Sequence, residues 1–496
     1  MSATVVSAPG KVLLVGGYLI LDPKYSGIVV STSSRFYSVV SPASTPGVIT
    51  VNSPQFINAV WKYSINPNGA IEEDTSTFNA NSFVHLALIN TLTLAANLKG
   101  PEVTDALVKT GLQIHILGGN DFYSQRITLE KRGLSPTLEN LNKIPPFTPL
   151  EIPISQVNKT GLGSSAALIT SLTAALLVHF GVIARESITG DGHEDSRRLA
   201  HNLAQFVHCL AQGKVGSGFD VSAAVFGSQI YTRFDSRVIQ PLLDGSRFAK
   251  VEGLYQILAA TNSGWTQKVS PLRLPPHVRL LLADVAVGSD TPSLVGNVLK
   301  WRQANPEVAN DLWTSLDEEN QEFGRTLKSL SAEWEKNTAL YEQVANYLSS
   351  MQQVQWEANP ELPKEEKSLI DRFVKLRTIS ENIRAKMREM GETSGVPIEP
   401  PQQTKLLDDC LAVTGVIAGG VPGAGGYDAI WLLVFDPPRK HEKIPTPAAC
   451  VEILWGRREE KDVTPLSTEE SVTKGIQVEE LYKVPGLQQA ISAARN

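Results

Sequence analysis

The segment that most narrows what this chain can fold into is KTGLGSSAALITSLTAALLVHF at 159–180, where a glycine-serine turn runs directly into an Ala/Leu-rich helical pattern. Gly161 and Gly163 free the backbone to come close to a ligand. The unsatisfied N–H groups and positive dipole at the start of the helix favour anionic oxygens. Ser164 and Ser165 add hydroxyls at the same point, able to hold phosphate or a magnesium ion. The segment therefore reads as a phosphate cradle, with a glycine turn closed by a serine cap as the bland alternative. A Walker loop is excluded, because no GK[ST] closes it and the Gly213-Lys214-Val215 run has His208 where that motif needs its first glycine. A dinucleotide fingerprint is matched formally by Gly161, Gly163 and Ala166. The acidic residue it expects roughly 20 positions on is represented only by Glu186, in a polar loop.

A chain of 496 residues exceeds what one core normally serves, which predicts two or three domains. With 42% hydrophobic and 19% charged residues, neither disorder nor a membrane protein is indicated. The start, MSATVVSAPGKVLLVGGYLIL, lacks a basic stretch before its apolar run and so does not resemble a secretory leader. Cys209, Cys410 and Cys450 have no metal-ligand spacing, and their odd number suits free thiols in a reducing compartment, giving a cytoplasmic expectation. A net charge of −6 argues against nucleic acid or anionic membrane as a partner, so positive charge for an anionic substrate must be local. The oligomeric state is not legible.

Residues 3–8, 12–21 and 27–40 read as strands, and 164–178 and 195–212 as helices. In the second helix His201, Gln205, His208 and Gln212 share a face that reads as solvated. Strand character recurs from 272 to 289, at 411–435 and at 450–455, and the Glu/Gln/Lys/Leu-rich stretch at about 305–390 reads as long helices.

Two further segments shift the balance. APGKVLLVGGYLIL at 8–21 sets a lysine in a strand beside a Pro-Gly turn, and GVPGAGGYDAIWLLV at 420–434 is a second glycine-rich loop entering an apolar strand. With the cradle, these resemble in order the three signature motifs of the GHMP kinases, the superfamily of galactokinase, homoserine kinase and mevalonate kinase. GKVGSGFDVSAAVFGS at 213–228, GSDTPSLVGNVLKW at 288–301 and SGVPIEPPQQTKLLDDC at 394–410 extend a closer resemblance to the fungal phosphomevalonate kinases. Gly17 and Tyr18, where mevalonate kinases usually carry Glu-His, favour that branch.

The resemblance implies an α+β chain. A ribosomal-protein-S5-like ATP-binding domain would span 1–245, and a ferredoxin-like domain 246–496, elaborated by the helices at 305–390. It implies ATP-dependent phosphorylation of phosphomevalonate to diphosphomevalonate in the mevalonate pathway of isoprenoid and sterol synthesis, with Mg²⁺ as cofactor. Another small-molecule kinase of the superfamily, such as a mevalonate kinase, and a non-catalytic ligand sensor are the alternatives. By the same carry-over Asp220 of GSGFD is the base and Lys11 its catalytic neighbour, also touching substrate. Lys159, Gly161, Leu162, Gly163, Ser164, Ser165 and Ala166 hold the nucleotide, Ser165 also as a metal ligand. Ser217, Gly218, Ser289, Thr291, Arg384, Arg388, Gly423, Gly425 and Gly426 face the acceptor. Cys209 stands where mevalonate kinase has a metal-binding glutamate, and a thiol is a poor magnesium ligand.

Overall fold

Val, Ile, Ser and Thr alternate through the N-terminal third, and these runs form strands β1 (Thr4–Val15), β2 (Ser26–Pro42), β3 (Val48–Asn52), β4 (Val60–Ile65), β5 (Ile71–Glu73) and β6 (Leu112–Gly118), followed by β7 (Gln229–Thr232) and β8 (Lys268–Pro271). The structure, a computed structural model, describes residues 3–66, 69–74, 80–189, 194–244, 253–285, 291–359, 361–438, 444–458 and 462–493. β9 (Val278–Val285), β10 (Val416–Gly420), β11 (Ala429–Phe435) and β12 (Val463–Leu466) make a second, four-stranded sheet, while β13 (Gln477–Glu479) pairs antiparallel with β1.

The principal helices are α1 (Ser82–Lys99), α2 (Ser164–His179), α3 (Glu194–Gln212), α4 (Phe219–Phe226), α5 (Thr291–Ala304), α6 (Pro306–Lys336), α7 (Thr338–Ser349), α8 (Lys364–Ser394), α9 (Pro401–Leu411) and α10 (Pro447–Gly456). α2 is apolar on every side because it is sandwiched between β1 and β2 on one flank and α1 and α3 on the other. The second sheet has the order β10-β11-β9-β12, all antiparallel, with helices after β9 and after β11, which is the ferredoxin-like β-α-β-β-α-β arrangement. α5 to α9 are its elaborated first crossover.

Several sequence expectations need correction. One strand runs from Thr4 to Val15 through Pro9-Gly10, and Leu19–Leu21 is a 3₁₀ turn. Residues 450–455 are helical: Thr446 caps the segment through Ala449 N–H, Pro447 opens it, and Val451 and Trp455 are buried one turn apart. The sheets do not divide the chain at one cut near 245, since β8 and β13 both belong to the first sheet. Nor is the α3 face solvated: His201, Gln205 and His208 are all buried, His201 lying against the rings of Phe226 and Trp265.

Residues 467–479 return across the first sheet as a strap. Ser467 donates to the buried Asp121, Ser33 N–H donates to Glu469 O (2.8 Å), and Ser471 N–H donates to Ser31 O (2.8 Å). The buried guanidinium of Arg35 donates to Ser7 Oγ (2.7 Å) and to Gly475 O (2.5 Å). Gly475 has φ +50°, and a Cβ there would lie 1.9 Å from Val225 O, so only glycine fits.

Candidate active site

The side chains at the site are aimed by local irregularities in otherwise regular elements. The β1–β2 register shifts between Pro9 and Lys11, and such a bulge re-aims the side chain that follows it. Gly10 permits this close approach, because a Cβ there would meet Thr32 Oγ1 at 2.7 Å and Leu162 O at 3.0 Å. Lys11 then grips the glycine loop twice: its N–H donates to Leu162 O (2.9 Å) and its Nζ to Gly161 O (2.9 Å). Gly163 is in the left-handed region at φ +76°, and a Cβ on it would come within 2.9 Å of Lys11 Cε. The free N–H groups that open α2 therefore start immediately beside the lysine.

Asp220 is the second residue of α4, whose turn is set by Gly218 at φ +81°. Its Oδ1 accepts from Val221 N–H (2.9 Å), and its Oδ2 lies 3.9 Å from His208 Nδ1. His208 Nε2 meets Ser165 Oγ at 3.0 Å and Gln212 Nε2 at 3.1 Å. Burial lowers the pKa of the Lys11 amine, against the pull of the Asp220 carboxylate, and the Lys11 Nζ stands 5.3 Å from the Phe219 ring centre. Burial likewise holds His208 below the ordinary histidine value, opposed by Asp220.

These groups line a cavity of about 410 Å³ bounded by β1, the starts of α2 and α4, and the loop before β11. Of the residues expected from sequence, Lys11, Lys159, Gly161, Leu162, Gly163, Ser164, Ser165, Ser217, Asp220, Gly423 and Gly425 line it. The third glycine loop is tied to the first motif, Tyr18 Oη donating to Ala424 O (2.6 Å) and Gly423 N–H to Leu13 O (3.3 Å). Ala166 is buried inside α2, and Gly218 is packed against Gln205 and Tyr231. Gly426 is turned away to donate to Ile398 O (2.8 Å).

Arg384 and Arg388 are not at this cavity. Arg384 is 3% exposed and paired with Glu399 (2.8 Å) and Asp408 (2.9 Å), and Arg388 shares Glu399 at 2.8 Å. Helical spacing does put them on one face, but that face meets the buried Glu399 carboxylate. Thr291 is the first residue of α5, and Ser289 lies outside the described residues.

Sequence reasoning undervalued His208, Gln212 and Lys214, and missed Phe219 and Asp428, all of which line the cavity. Adjacency to Asp220 and to the third glycine loop was the available signal for the last two. A neighbouring cavity of about 880 Å³ shares Lys159 and Asp428 and adds Arg126, Lys131 and Arg132.

Among the described residues no group of three or more His, Cys, Asp and Glu side chains converges as a metal cage. Cys209 is buried and takes a hydrogen bond from Gln205 Nε2 (3.1 Å), so it offers no metal ligand. The donors present, the Ser165 hydroxyl and the Asp220 carboxylate, suit a magnesium ion held mostly by nucleotide phosphates and water.

The family profile for the GHMP kinases N terminal domain matches residues 134–228. A solved structure of a Listeria innocua protein, Lin0012, is similar in fold with a TM-score of 0.61 over 97% of this chain and all of that one, at 16% identity. The Streptococcus pneumoniae phosphomevalonate kinase, solved in complex with phosphomevalonate and AMPPNP, gives a TM-score of 0.56 over 95% and 100% of the two chains at 15% identity. In sequence, the peroxisomal phosphomevalonate kinase of Arabidopsis thaliana is 38% identical over 87% of this chain and 90% of its own. The phosphomevalonate kinase of Aspergillus fumigatus is 34% identical over 88% of each. Full-length identity at that level, on a GHMP kinase fold whose three glycine motifs meet at one cavity, means that the chain belongs to the phosphomevalonate kinase family.

Proposed function

We propose that this protein transfers the terminal phosphoryl group of ATP to phosphomevalonate, giving ADP and 5-diphosphomevalonate. The observation that carries the reading is the convergence in one cavity of the α2 N-terminus, Lys11 and Asp220. Phosphoryl transfer asks a protein mainly for alignment and for charges aimed at the transferring oxygens. The N–H groups of Gly161, Gly163, Ser164 and Ser165 and the hydroxyl of Ser164 are offered to the nucleotide phosphates. Ser165 would hold a magnesium ion together with the phosphates, and that ion would supply charge neutralisation.

The reaction forms a bond from an acceptor phosphate oxygen to the terminal phosphorus and breaks that phosphorus's bond to the departing ADP oxygen. A phosphate monoester has its second pKa near ~6, so most of the acceptor has already lost its proton at neutral pH. Asp220 therefore orients the acceptor and takes the proton of the remaining monoanion, while Lys11 offsets the charge gathering between the two phosphates. Lys159 adds positive charge beside the two phosphates, at the mouth of the second cavity that Arg126 and Arg132 also line. Ser289, outside the described residues, and Thr291 are assigned to the same acceptor on the resemblance alone. No helix among the described residues is long and apolar enough to cross a membrane. From the unbridged thiols Cys209, Cys410 and Cys450 we infer a cytoplasmic enzyme, which a fluorescent fusion tests.

The direct experiment is a coupled ADP-release assay with phosphomevalonate, mevalonate and a related polyol phosphate as acceptors. Turnover with phosphomevalonate at least ~100-fold above the others is expected. Preference for mevalonate, or no turnover with any acceptor, would sink the reading.

A further inference from the structure

His208 is an unexpected occupant of the wall of this cavity. It projects from α3, its side chain is 4% exposed, and it lies between the hydroxyl of Ser165 on α2 and the carboxylate of Asp220 on α4. Three helices, two of them joined by the 213–218 loop, thus meet through one imidazole. Cys209 is buried against Gln205, and His208 and Gln212 are the α3 residues that line the cavity.

We propose that His208 is a positioning residue that fixes the Ser165 hydroxyl relative to the Asp220 carboxylate, turning the oxygen lone pairs of Ser165 into the cavity. The argument is one of donors and acceptors. A neutral imidazole has one N–H and one bare nitrogen. A carboxylate can only accept, so the nitrogen facing it, Nδ1, is the protonated one, which leaves Nε2 as the acceptor. At 3.9 Å the Nδ1–Asp220 approach is electrostatic rather than a formed hydrogen bond, and catalytic contacts of this kind tighten once substrate is bound. Ser165 Oγ, 3.0 Å from Nε2, then points its proton at the histidine. Gln212 Nε2, at 3.1 Å from the same nitrogen, has only protons to give, so it agrees with Nε2 as the acceptor and shares that nitrogen's single lone pair with Ser165. The hydroxyl so oriented presents an acceptor to the cavity, which is what a magnesium ion arriving with ATP requires and what a bare phosphate oxygen does not.

The proposal rests on the kinase reading, and its test separates the two. Wild-type turnover of ATP and phosphomevalonate is measured first; its absence overturns the kinase reading whatever His208 does. Two variants follow, His208→Phe, which keeps a ring without hydrogen bonds, and His208→Gln, whose amide oxygen reaches the place of Nε2. Each is made with and without Asp220→Asn, with melting temperature recorded throughout. Loss of a residue that orients a ligating group typically costs ~10- to 100-fold, and that drop in kcat is expected for His208→Phe, with partial recovery in His208→Gln. Asp220→Asn should cost less in the His208→Phe background than in wild type, because the two act as a unit. By calorimetry His208→Phe should also shrink the gain in ATP affinity that magnesium gives, a readout independent of turnover. Multiplicative effects with Asp220, or a magnesium gain equal to wild type in a folded variant, would overturn the proposal. Should His208→Phe not fold, the same two measurements on His208→Gln decide it.

Discussion

At the scale of single residues, chemistry and packing are joined at Lys11. Its amine is partly stripped of water, which disfavours the charged form, while Asp220 favours it. Because burial prevails, the amine releases its proton below the usual lysine range. Activity that depends on the charged form is complete at low pH and is lost as pH rises through that depressed value. We therefore expect the alkaline limb of kcat/KM, which reports the free enzyme, to lie below an ordinary lysine titration. In Lys11→Arg the limb should vanish within the accessible range, even if the rate is low. A wild-type limb at the ordinary lysine position would contradict this. Asp220→Asn keeps the shape and the contact to Val221 N–H but removes the charge. General-base contributions run to ~10²- to 10⁴-fold, so kcat should fall into that range with the melting temperature unchanged. Because the acceptor monoanion becomes common only below ~6, the deficit should deepen as pH falls toward that value. A flat ratio across pH would assign Asp220 to orientation alone.

At the scale of elements, what could be read from the sequence was what turns and periodicity announce. The glycine loop into α2, the lysine strand and the Asp220 turn were legible because glycines demand tight backbone geometry and an uninterrupted apolar helix demands burial on every side. The α3 face misled because His and Gln look solvated on paper, and it is the packing of α2, α4 and Trp265 over that face that buries it. Arg384 and Arg388 misled for the opposite reason: their shared face on α8 is real, but their partner, Glu399, lies beyond the helix end, where periodicity has no reach. Glu399 is 1% exposed and holds both guanidinium groups. Removing one partner of a buried ionic cluster costs about 3–5 kcal/mol. Glu399→Gln should therefore lower the denaturation midpoint by that equivalent at constant slope, while the KM for the acceptor stays within about twofold of wild type. A rise in acceptor KM without loss of stability would return these arginines to the binding site.

For the whole molecule, the strap decides how the parts depend on each other. Asp121, Arg35 and Ser33 in the first sheet are all satisfied by residues from 467 onward, and β1 has β13 as its outer partner. Ending the chain before Ser467 should leave a buried carboxylate and a buried guanidinium without those partners, and so yield insoluble protein rather than a less active enzyme. Gly475→Ala is the milder probe and should destabilise without altering the KM for either substrate, because Gly475 lies outside the cavity lining. Both are checked by soluble yield and denaturation midpoint. The strap also carries a consequence for biosynthesis. Domains generally fold as they leave the ribosome, N-terminal part first. Here the strand that holds Lys11 keeps an open hydrogen-bonding edge at Val5–Ser7 until Gln477–Glu479 has been made, and open edges recruit other strands. A nascent chain that already carries Lys11, the glycine loop and Asp220 therefore still presents a strand edge that chaperones are expected to guard.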